Sequence, residues 1–211
     1  MARSPSFCGV ILAAGESSRM GRDKALLPWP PRPAGRSTFL SATIELLQAP
    51  SDMVIVVAGK NADSLRPIVD AAAGYLVVNR HPERGQFSSL QVGLQEVLNH
   101  GRDAAIVALV DRPPAQPRTL ARLGEAFSQA NESGKWAVVP EHGGRHGHPI
   151  LVGREMIEAF LRAPATSTAR EVEHSLEQRI LYVPVDDPNV VANVDTPEDY
   201  ERLAQARVQS P

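Results

Sequence analysis

The segment "FCGVILAAGESSRMGRDKALL", residues 7–27, places a continuous apolar run directly before a loop of glycines, hydroxyls and basic side chains. An uninterrupted apolar run is typical of a strand that is buried on both faces, as in parallel sheets. Glycines let backbone N–H groups approach an anion, and arginine and lysine supply positive charge for phosphate oxygens. The loop lacks both the G-K-S/T of a P-loop and the G-x-G-x-x-G of dinucleotide-binding folds. It therefore has two interpretations, a phosphate-binding loop or a basic, solvated turn.

The same alternation continues along the chain and predicts the fold class. Further apolar runs predict strands at residues 53–59, 75–79, 104–110 and 136–140. Amphipathic patterns predict helices at residues 37–48, 88–99, 117–130 and 196–208. Strands that alternate with helices indicate a single α/β domain with a mostly parallel, Rossmann-like sheet and helices on both faces. Ligands bind beyond the carboxyl ends of such strands, which selects the loops after Ala13, Asn79, Val110 and Pro140.

The composition limits the classes of function that need to be considered. The chain has 211 residues, of which 43% are hydrophobic and 22% are charged, and this length predicts one domain. A formal net charge of -2 argues against a general nucleic-acid-binding protein. We expect a cytoplasmic protein, because no secretory signal and no run near the ~20 apolar residues of a membrane span is visible. The one cysteine, Cys8, excludes an internal disulfide and is expected to be an inert core thiol.

Two aspartates are candidates for a metal site. Asp111 directly follows an apolar run, so it should lie at the carboxyl edge of the sheet, where a carboxylate suits Mg2+. The alternative is a loop aspartate that forms a turn with Pro113. Asp195 belongs to "DTPED", which is also a good helix start, with Thr196 as the N-cap and Pro197 at the first helical position. Taken alone, each aspartate is explained by local structure as well as by a metal.

Polar residues also flank the predicted helix at 88–99. Asn79 ends a predicted strand, and Ser88 and Ser89 open the helix a few residues after Gly85. A helix N-terminus with hydroxyls is suited to contact a base or a phosphate. A plain serine N-cap explains either serine equally well.

Histidines and tryptophans suggest a zinc site and base-stacking platforms, but the sequence around them favours neither. His142, His146 and His148 invite a zinc interpretation, but they lie in a glycine-rich loop without an accompanying cysteine. Trp29 and Trp136 are interpreted as packing residues rather than as platforms for base stacking.

The full order L-A-A-G-x-S-x-R-M-G-x-x-K-x-L-L resembles the signature loop of the MobA-like NTP transferases, which include the enzymes that attach a nucleotide to molybdopterin. Four later stretches are similar to the same family and extend the resemblance over nearly the whole chain. They are "NRHPERGQFSSLQVGL" for N-x(5)-G-x-x-x-S-L, "ALVDRPPAQP" for L-x-D-Q-P, "GGRHGHPIL" for G-x-x-G-H-P and "NVDTPEDY" for D-I-D-T-P-E-D. The resemblance implies the nucleotide-diphospho-sugar transferase-like form of the predicted fold.

The resemblance also implies a role for each matching position. Catalysis would rest on Arg19, Lys24 and Asp111, and Mg2+ would be held by Asp111 and Asp195, with Asn193 as an alternative or additional ligand. The implied nucleotide-binding residues are Leu12, Ala13, Ala14, Gly15, Ser17, Ser18, Arg19, Gly21, Lys24, Asn79, Ser88 and Ser89. The implied acceptor-binding residues are Arg112, Gly147, His148, Pro149 and Arg170. Residues 1–110 would form mainly the nucleotide-binding half, and residues 111–211 mainly the acceptor-binding half.

The activity that the resemblance implies is Mg2+-dependent transfer of a nucleoside monophosphate from an NTP to a phosphorylated acceptor, with release of pyrophosphate. The implied acceptor is the molybdopterin cofactor, and a molybdoenzyme or its maturation protein is the implied protein partner. Ala14 is similar to the cytidylyltransferase form of the loop, whereas the guanylyltransferases usually read L-A-G-G, and this favours CTP over GTP. Two other hypotheses stay open: transfer to another phosphorylated metabolite or sugar phosphate, and a nucleotide- or cofactor-binding chaperone without turnover.

Two stretches depart from the family pattern. Arg112 stands where the family has glutamine in D-Q-P, and it adds a positive charge beside Asp111. The stretch "ATSTAR", residues 165–170, stands where the cytidylyltransferases usually carry G-D-x-G-A-R, and Thr166 occupies the acidic position. The second departure lies on the acceptor side, so it bears on the acceptor and leaves the nucleotide motifs unaffected.

Overall fold

The computed structural model describes residues 7–31, 37–164 and 166–208 as an α/β fold. The proline-rich stretch at 28–35 lies partly outside these residues, and Ala165 of "ATSTAR" lies outside them. The described strands are β1 (Phe7–Leu12), β2 (Pro28–Trp29), β3 (Ser37–Thr38), β4 (Ser51–Ala58), β5 (Tyr75–Val78), β6 (Ala104–Leu109), β7 (Ala137–His142), β8 (Arg145–His146), β9 (Ile150–Gly153) and β10 (Ile180–Pro184). The described α-helices are α1 (Phe39–Gln48), α2 (Ala62–Ala71), α3 (Gln86–Asn99), α4 (Pro117–Glu132), α5 (Arg154–Arg162), α6 (Ala169–Ser175) and α7 (Pro197–Val208).

One mixed sheet carries the fold, with strand order β10-β7-β9-β6-β1-β4-β5 and β8 paired to β7. The pairs β6·β1, β1·β4, β4·β5 and β10·β7 are parallel, which confirms the predicted mostly parallel sheet. β9 is antiparallel to both of its neighbours. It follows β7 through the short hairpin strand β8, and a connection this short cannot make a parallel crossover. The expectation of a Rossmann-like sheet is therefore confirmed, with one reversed strand inserted between β7 and β6.

Helices cover both faces of the sheet, as the continuous apolar run of β1 predicts. Ile11 packs in the core beneath α1, α2 and α4, whereas its neighbours Val10 and Leu12 pack in the core beneath α3, α5 and α6. α3 approaches the sheet closely at Gly93, where a Cβ atom would lie 2.6 Å from Val10 Cγ1. None of the helices in the described part of the chain is long and apolar enough to cross a membrane.

The cysteine lies inside the core, as predicted. Cys8 is fully buried, and burial raises the pKa of its thiol to about 11. Because the thiolate is the reactive form, we expect the native protein not to react with an aromatic disulfide reagent at neutral pH. The same protein should release one equivalent of the chromophore after denaturation in urea. Rapid reaction before unfolding would contradict this placement of Cys8.

Candidate active site

The loop that follows β1 turns back on itself and delivers Lys24 to the edge of the sheet. Ser17 adopts a positive φ of 50°, which is uncommon for a residue other than glycine, and its Oγ accepts a hydrogen bond from Lys24 N at 3.1 Å. Asp23 caps the short 3-10 helix Lys24–Leu26 by accepting from Ala25 N. Asn61, in the loop after β4, donates to both Ala13 O and Asp23 Oδ2. The loop is therefore held at both ends, which is more order than a plain solvated turn requires.

Lys24, Arg19 and Asp195 form an ion cluster at this edge. The Lys24 side chain is only 10% exposed, and its Nζ lies 2.6 Å from Asp195 Oδ1. An Arg19 guanidinium nitrogen lies 3.4 Å from the same oxygen, although the Arg19 side chain is 71% exposed. The structure thus brings Lys24 into contact with Asp195, which lies 171 positions further along the sequence. Arg19 has the exposure that a phosphate ligand needs, and Lys24 has the burial that strengthens its charge interactions.

The start of α7 places the Asp195 carboxylate. Asp199 Oδ2 accepts hydrogen bonds from the backbone N–H groups of Asp195 and Thr196, and Thr196 Oγ1 accepts from Asp199 N. This arrangement is a helix N-cap, so the helix-start interpretation of "DTPED" is confirmed. It leaves the Asp195 side chain available to the ion cluster, so the cap and the site are compatible. Asn193, the alternative metal ligand, is exposed.

Asp111 presents a carboxylate oxygen without a partner. It follows β6 by two residues, and its backbone O accepts from Val194 N at 2.9 Å, which joins the Asp111 loop to the segment that carries Asp195. Its Oδ1 is buried and has no hydrogen-bond partner among the described residues. Burial raises the pKa of the Asp111 carboxyl, and the charges of Lys24 and Arg112 offset part of that shift. A buried carboxylate oxygen normally has a partner, so a cation is the ligand that this oxygen fits.

Asn79, Ser88 and Ser89 lie together, but their hydrogen bonds are made to protein groups. The Asn79 amide donates to both serine hydroxyls, and its Oδ1 accepts from His81 N. Ser88 Oγ also donates to Gly85 O at 2.7 Å. All three side chains are buried, so the structure shows them fixing the loop between β5 and α3. Their predicted contact with a nucleotide stays a prediction.

A cavity of about 790 Å³ lies beside this edge, on the face of the sheet that carries α3, α5 and α6. Its apolar lining consists of Leu12, Phe87, Leu90, Val107, Leu109 and Ile150. Its basic lining includes Arg112 and Arg170, which were predicted, and Arg84 and Arg145, which were not. Arg84 and Arg145 lie within the family-like stretches "NRHPERGQFSSLQVGL" and "GGRHGHPIL", but no role was predicted for either arginine.

The loop between β8 and β9 forms one wall of the cavity. Gly147 passes so close to Val190 that a Cβ atom there would lie 2.2 Å from Val190 O, so any other residue would displace the loop. His148 lines the large cavity, whereas Pro149 lines a smaller neighbouring one. Arg112 donates to Val190 O at 2.9 Å, and its buried Nε has no partner among the described residues. The predicted acceptor residues therefore divide into two groups: Arg112, His148 and Arg170 face the cavity, and Gly147 and Pro149 support its wall.

The remaining aromatic and imidazole rings have local partners. His142 Nδ1 contacts Val185 O at 2.9 Å, and His146 stacks on Tyr182 at 3.9 Å. No group of three potential metal-binding side chains is found in residues 7–31, 37–164 and 166–208, so the zinc interpretation gains no support. Trp29 packs edge-on against Phe39, and Trp136 lies beneath the Arg179 guanidinium, as packing residues do.

His148 is expected to make the protein less stable as the pH falls. Its ring Nδ1 is buried without a described partner, and burial together with the nearby Arg112 charge lowers the pKa of His148 from 6.5 to about 3. Between these two values the unfolded chain takes up a proton at this ring and the folded chain does not. The free energy of unfolding should therefore fall with pH in this window, by at most about 1.4 kcal/mol per pH unit from this group.

Urea unfolding at several pH values between 7 and 4 tests this expectation. The His148→Asn variant should lose stability less steeply on acidification than the wild-type protein does. His174→Asn, which removes an exposed histidine, is the matched control and should follow the wild-type slope. Equal slopes for the wild-type protein and His148→Asn would show that the ring does not stay neutral.

The fold and this sheet edge together define a nucleotidyltransferase of the Rossmann-like type. The chain matches the family model of the MobA-like NTP transferase domain over residues 9–180, and it belongs to that family.

Two curated relatives and one solved structure illustrate the range of the family. "Probable molybdenum cofactor guanylyltransferase" of Mycobacterium avium is 30% identical over 98% of this chain and 100% of its own length. "Nicotine blue oxidoreductase" of Paenarthrobacter nicotinovorans is 31% identical over 94% of this chain and 97% of its own length. The structure of Rv0371c of Mycobacterium tuberculosis in complex with manganese has a TM-score of 0.70 and 26% identity, and the match covers 95% of this chain and 99% of that one. Nearly equal identity to two differently named relatives means that family membership by itself does not define the substrate.

Proposed function

We propose that this chain transfers a nucleoside monophosphate from an NTP to a phosphorylated acceptor, the molybdopterin cofactor, and releases pyrophosphate, with Mg2+ as the metal. The observation that carries the proposal is the unpartnered, buried Oδ1 of Asp111, which lies beside the Lys24–Asp195–Arg19 cluster at the carboxyl edge of the sheet. A cation between Asp111 and Asp195 would give that oxygen a partner. Carboxylates with phosphate oxygens are the ligands that Mg2+ favours, and the related manganese complex is consistent with a divalent ion.

The donor side of the site consists of positive charge and backbone donors. In the proposed complex, Arg19 and Lys24 bind the triphosphate, and the glycine-rich loop from Leu12 to Gly21 supplies N–H groups. A Cβ atom on Gly15 would meet no atom within 4 Å, so the loop borders open space at this position. Mg2+, when bound to Asp111 and Asp195, would screen the charge of the triphosphate. The loop between β5 and α3, at the far end of the nucleotide, would be held by Asn79, Ser88 and Ser89.

The acceptor side is the large cavity. A phosphate monoester would bind to Arg112, Arg145 and Arg170, and its oxygen would attack the α-phosphorus. The new bond joins the acceptor oxygen to that phosphorus, and the bond to the pyrophosphate oxygen breaks. A phosphate monoester is already ionised, so the reaction requires neither a protein nucleophile nor a strong general base. Catalysis then consists of positioning and of charge neutralisation.

The division of the domain into two halves is part of this proposal. Residues 1–110 supply most of the donor side and residues 111–211 most of the acceptor side. The cavity adds one refinement, because Arg84, Phe87 and Leu90 line it from the first half. The acceptor would therefore bind between the two halves of one sheet.

The choice of nucleotide is the finer part of the proposal. Ala14 is similar to the cytidylyltransferase form of the loop, whereas the Mycobacterium avium relative is named as a guanylyltransferase. We propose CTP as the donor on the resemblance of Ala14, which is buried next to Gly59, to the cytidylyltransferase form of the loop.

Pyrophosphate release with each of the four NTPs, with Mg2+ and with or without molybdopterin, tests the proposal. We expect release that requires both molybdopterin and the metal, with CTP as the best donor. Release with GTP alone would correct the nucleotide and keep the reaction. Release only with a sugar phosphate or another phosphorylated metabolite would replace the acceptor. NTP binding without release in the presence of any of these acceptors would favour a nucleotide-binding chaperone.

A further inference from the structure

The acceptor cavity contains one carboxylate that the proposed reaction does not use. Glu173, on α6, is the acidic residue among the described cavity-lining side chains, next to four arginines. α6 begins at Ala169 with a capping box between Thr168 and Glu171, which fixes the residue at which the helix starts. Glu173 thus occupies a defined position in the wall.

Glu173 makes no ion pair with the part of the chain that the structure describes. No salt bridge or hydrogen bond joins its carboxylate to any side chain in the described ranges, although Arg170 lies three residues before it on the same helix. Burial alone raises the pKa of the Glu173 carboxyl to about 7. Keeping a half-buried carboxylate unpaired costs free energy, and natural proteins retain such groups mainly at functional sites.

Part of the positive charge of the cavity lies near Asp111. Burial and the charge of Arg145 lower the pKa of the Arg112 guanidinium, and the charges of Asp111 and Asp195 raise it, so these groups lie near one another. Glu173 lies near Tyr182, whose pKa is raised first by burial and then by the charges of Glu177 and Glu173, and Tyr182 stacks on His146. The cavity therefore has a cationic group near Asp111 and an acidic position on α6, where Glu173 follows Arg170 by three residues.

Apolar surface lies in the same cavity as these charged groups. Leu12, Val107, Leu109 and Ile150 come from adjacent strands of the sheet and form a continuous surface, which Phe87 and Leu90 extend from α3. Such a surface suits the faces of a planar ring, whereas a sugar would leave its hydroxyls unpaired against it. A ligand that fits all three features has an anionic group, a flat ring and hydrogen-bond donors on the ring edge.

We propose that Glu173 is a specificity-determining residue that binds the adjacent N–H donors of a 2-amino-4-oxo pyrimidine ring in the acceptor, while the arginines bind the acceptor's phosphate. This inference rests on the proposed function and deepens it by assigning the ring end of the acceptor. A carboxylate accepts two parallel N–H bonds from such an edge in the same way as from a guanidinium. The sequence departs from the family pattern at Thr166, which lacks the acidic side chain, and Glu173 supplies a carboxylate to the same cavity.

Two small heterocycles test the proposal without turnover. Pterin carries the 2-amino group, and pteridin-4-one lacks it while keeping the bicyclic ring and the 4-oxo group. Binding of each to the full chain is measured by fluorescence or calorimetry near neutral pH. Wild-type protein should bind pterin roughly tenfold more tightly than pteridin-4-one, because hydrogen bonds to a charged group are lost with the amino group. Glu173→Gln should weaken pterin binding about tenfold and pteridin-4-one binding less, because pteridin-4-one keeps only the ring N–H of the two donors.

Glu177→Gln is the matched control, because Glu177 is an exposed glutamate that follows α6 and does not line the cavity. It should keep the preference for pterin. Binding of CTP with Mg2+ should be the same in all three proteins, which checks that the donor side is intact. Equal binding of both rings by wild-type protein, absence of binding by both, or an unchanged preference in Glu173→Gln would each overturn the assignment. Selective pterin binding without any pyrophosphate release would instead support Glu173 and count against the proposed reaction.

Discussion

Lys24→Met is expected to lower kcat/KM for pyrophosphate release by about 10²- to 10³-fold, because the variant loses the charge that we propose neutralises the triphosphate in the transition state. Lys24 is almost fully buried, so water cannot replace its charge effectively. Methionine keeps the apolar length of the side chain and removes only the ammonium group. Asp195 retains its contact with Arg19 in the variant, so we expect the fold to be kept.

The control for this variant is Lys60→Met. Lys60 lies in the loop after β4 and also pairs with an acidic side chain at 2.6 Å, that of Glu16, but both partners are exposed. An exposed ion pair contributes little, so this variant should retain wild-type activity and stability. Steady-state assays with thermal unfolding of both variants make the comparison. A Lys24→Met enzyme with near-normal kcat/KM would remove Lys24 from the site.

Asp111→Asn is expected to abolish most of the activity and, at the same time, to leave the protein as stable or more stable. The variant keeps the shape of the side chain and removes an ionised oxygen that is buried without a partner. Neutralising such a group relieves its desolvation cost, whereas the loss of a metal ligand should lower the rate on the order of 10²-fold or more. Many functional sites show this opposition between activity and stability.

Thermal unfolding with and without Mg2+ or Mn2+ separates the two effects. Wild-type protein should be stabilised by the ion, because a ligand that binds only the folded state raises the unfolding temperature. Asp111→Asn should lose that response, and Asp186→Asn, which changes an exposed aspartate, should keep it. An Asp111→Asn protein that is still stabilised by the ion and still active would contradict the metal assignment.

The predictable part of the fold followed from strong local patterns. α1 begins one residue after Thr38, whose side chain and that of Ser41 form a capping box, within the range that the cap residues predicted. α3 and α4 were located within two residues at each end. The patterns did not predict α2, α5 and α6, which have ten, nine and seven residues. Helices of two to three turns show few periods, and α2 also contains Pro67, so the apolar repeat is weak.

The contacts within the site could not be predicted from spacing. The family resemblance implied that Lys24 and Asp195 belong to one site, but burial of the lysine and its 2.6 Å contact with Asp195 depend on packing between distant segments. The same holds for Asn79, whose amide is shared between two serine hydroxyls inside the protein. No sequence pattern indicated a role for Glu173, because that role depends on the cavity that its side chain lines.

The sequence by itself determined the α/β class, the buried strand before the basic loop, and the helix starts, because hydrophobic periodicity and capping are local properties of the chain. Tertiary structure alone decided the reversed strand β9, and it alone left Asp111 Oδ1 and the Glu173 carboxylate without a partner among the described residues. These features arise where segments that are far apart in the sequence pack together, because the burial and the hydrogen bonding of a side chain are defined only in the folded chain. Residues 12–27 therefore indicated by themselves only that an anion could bind there, whereas the shape and charge of the large cavity required the folded chain.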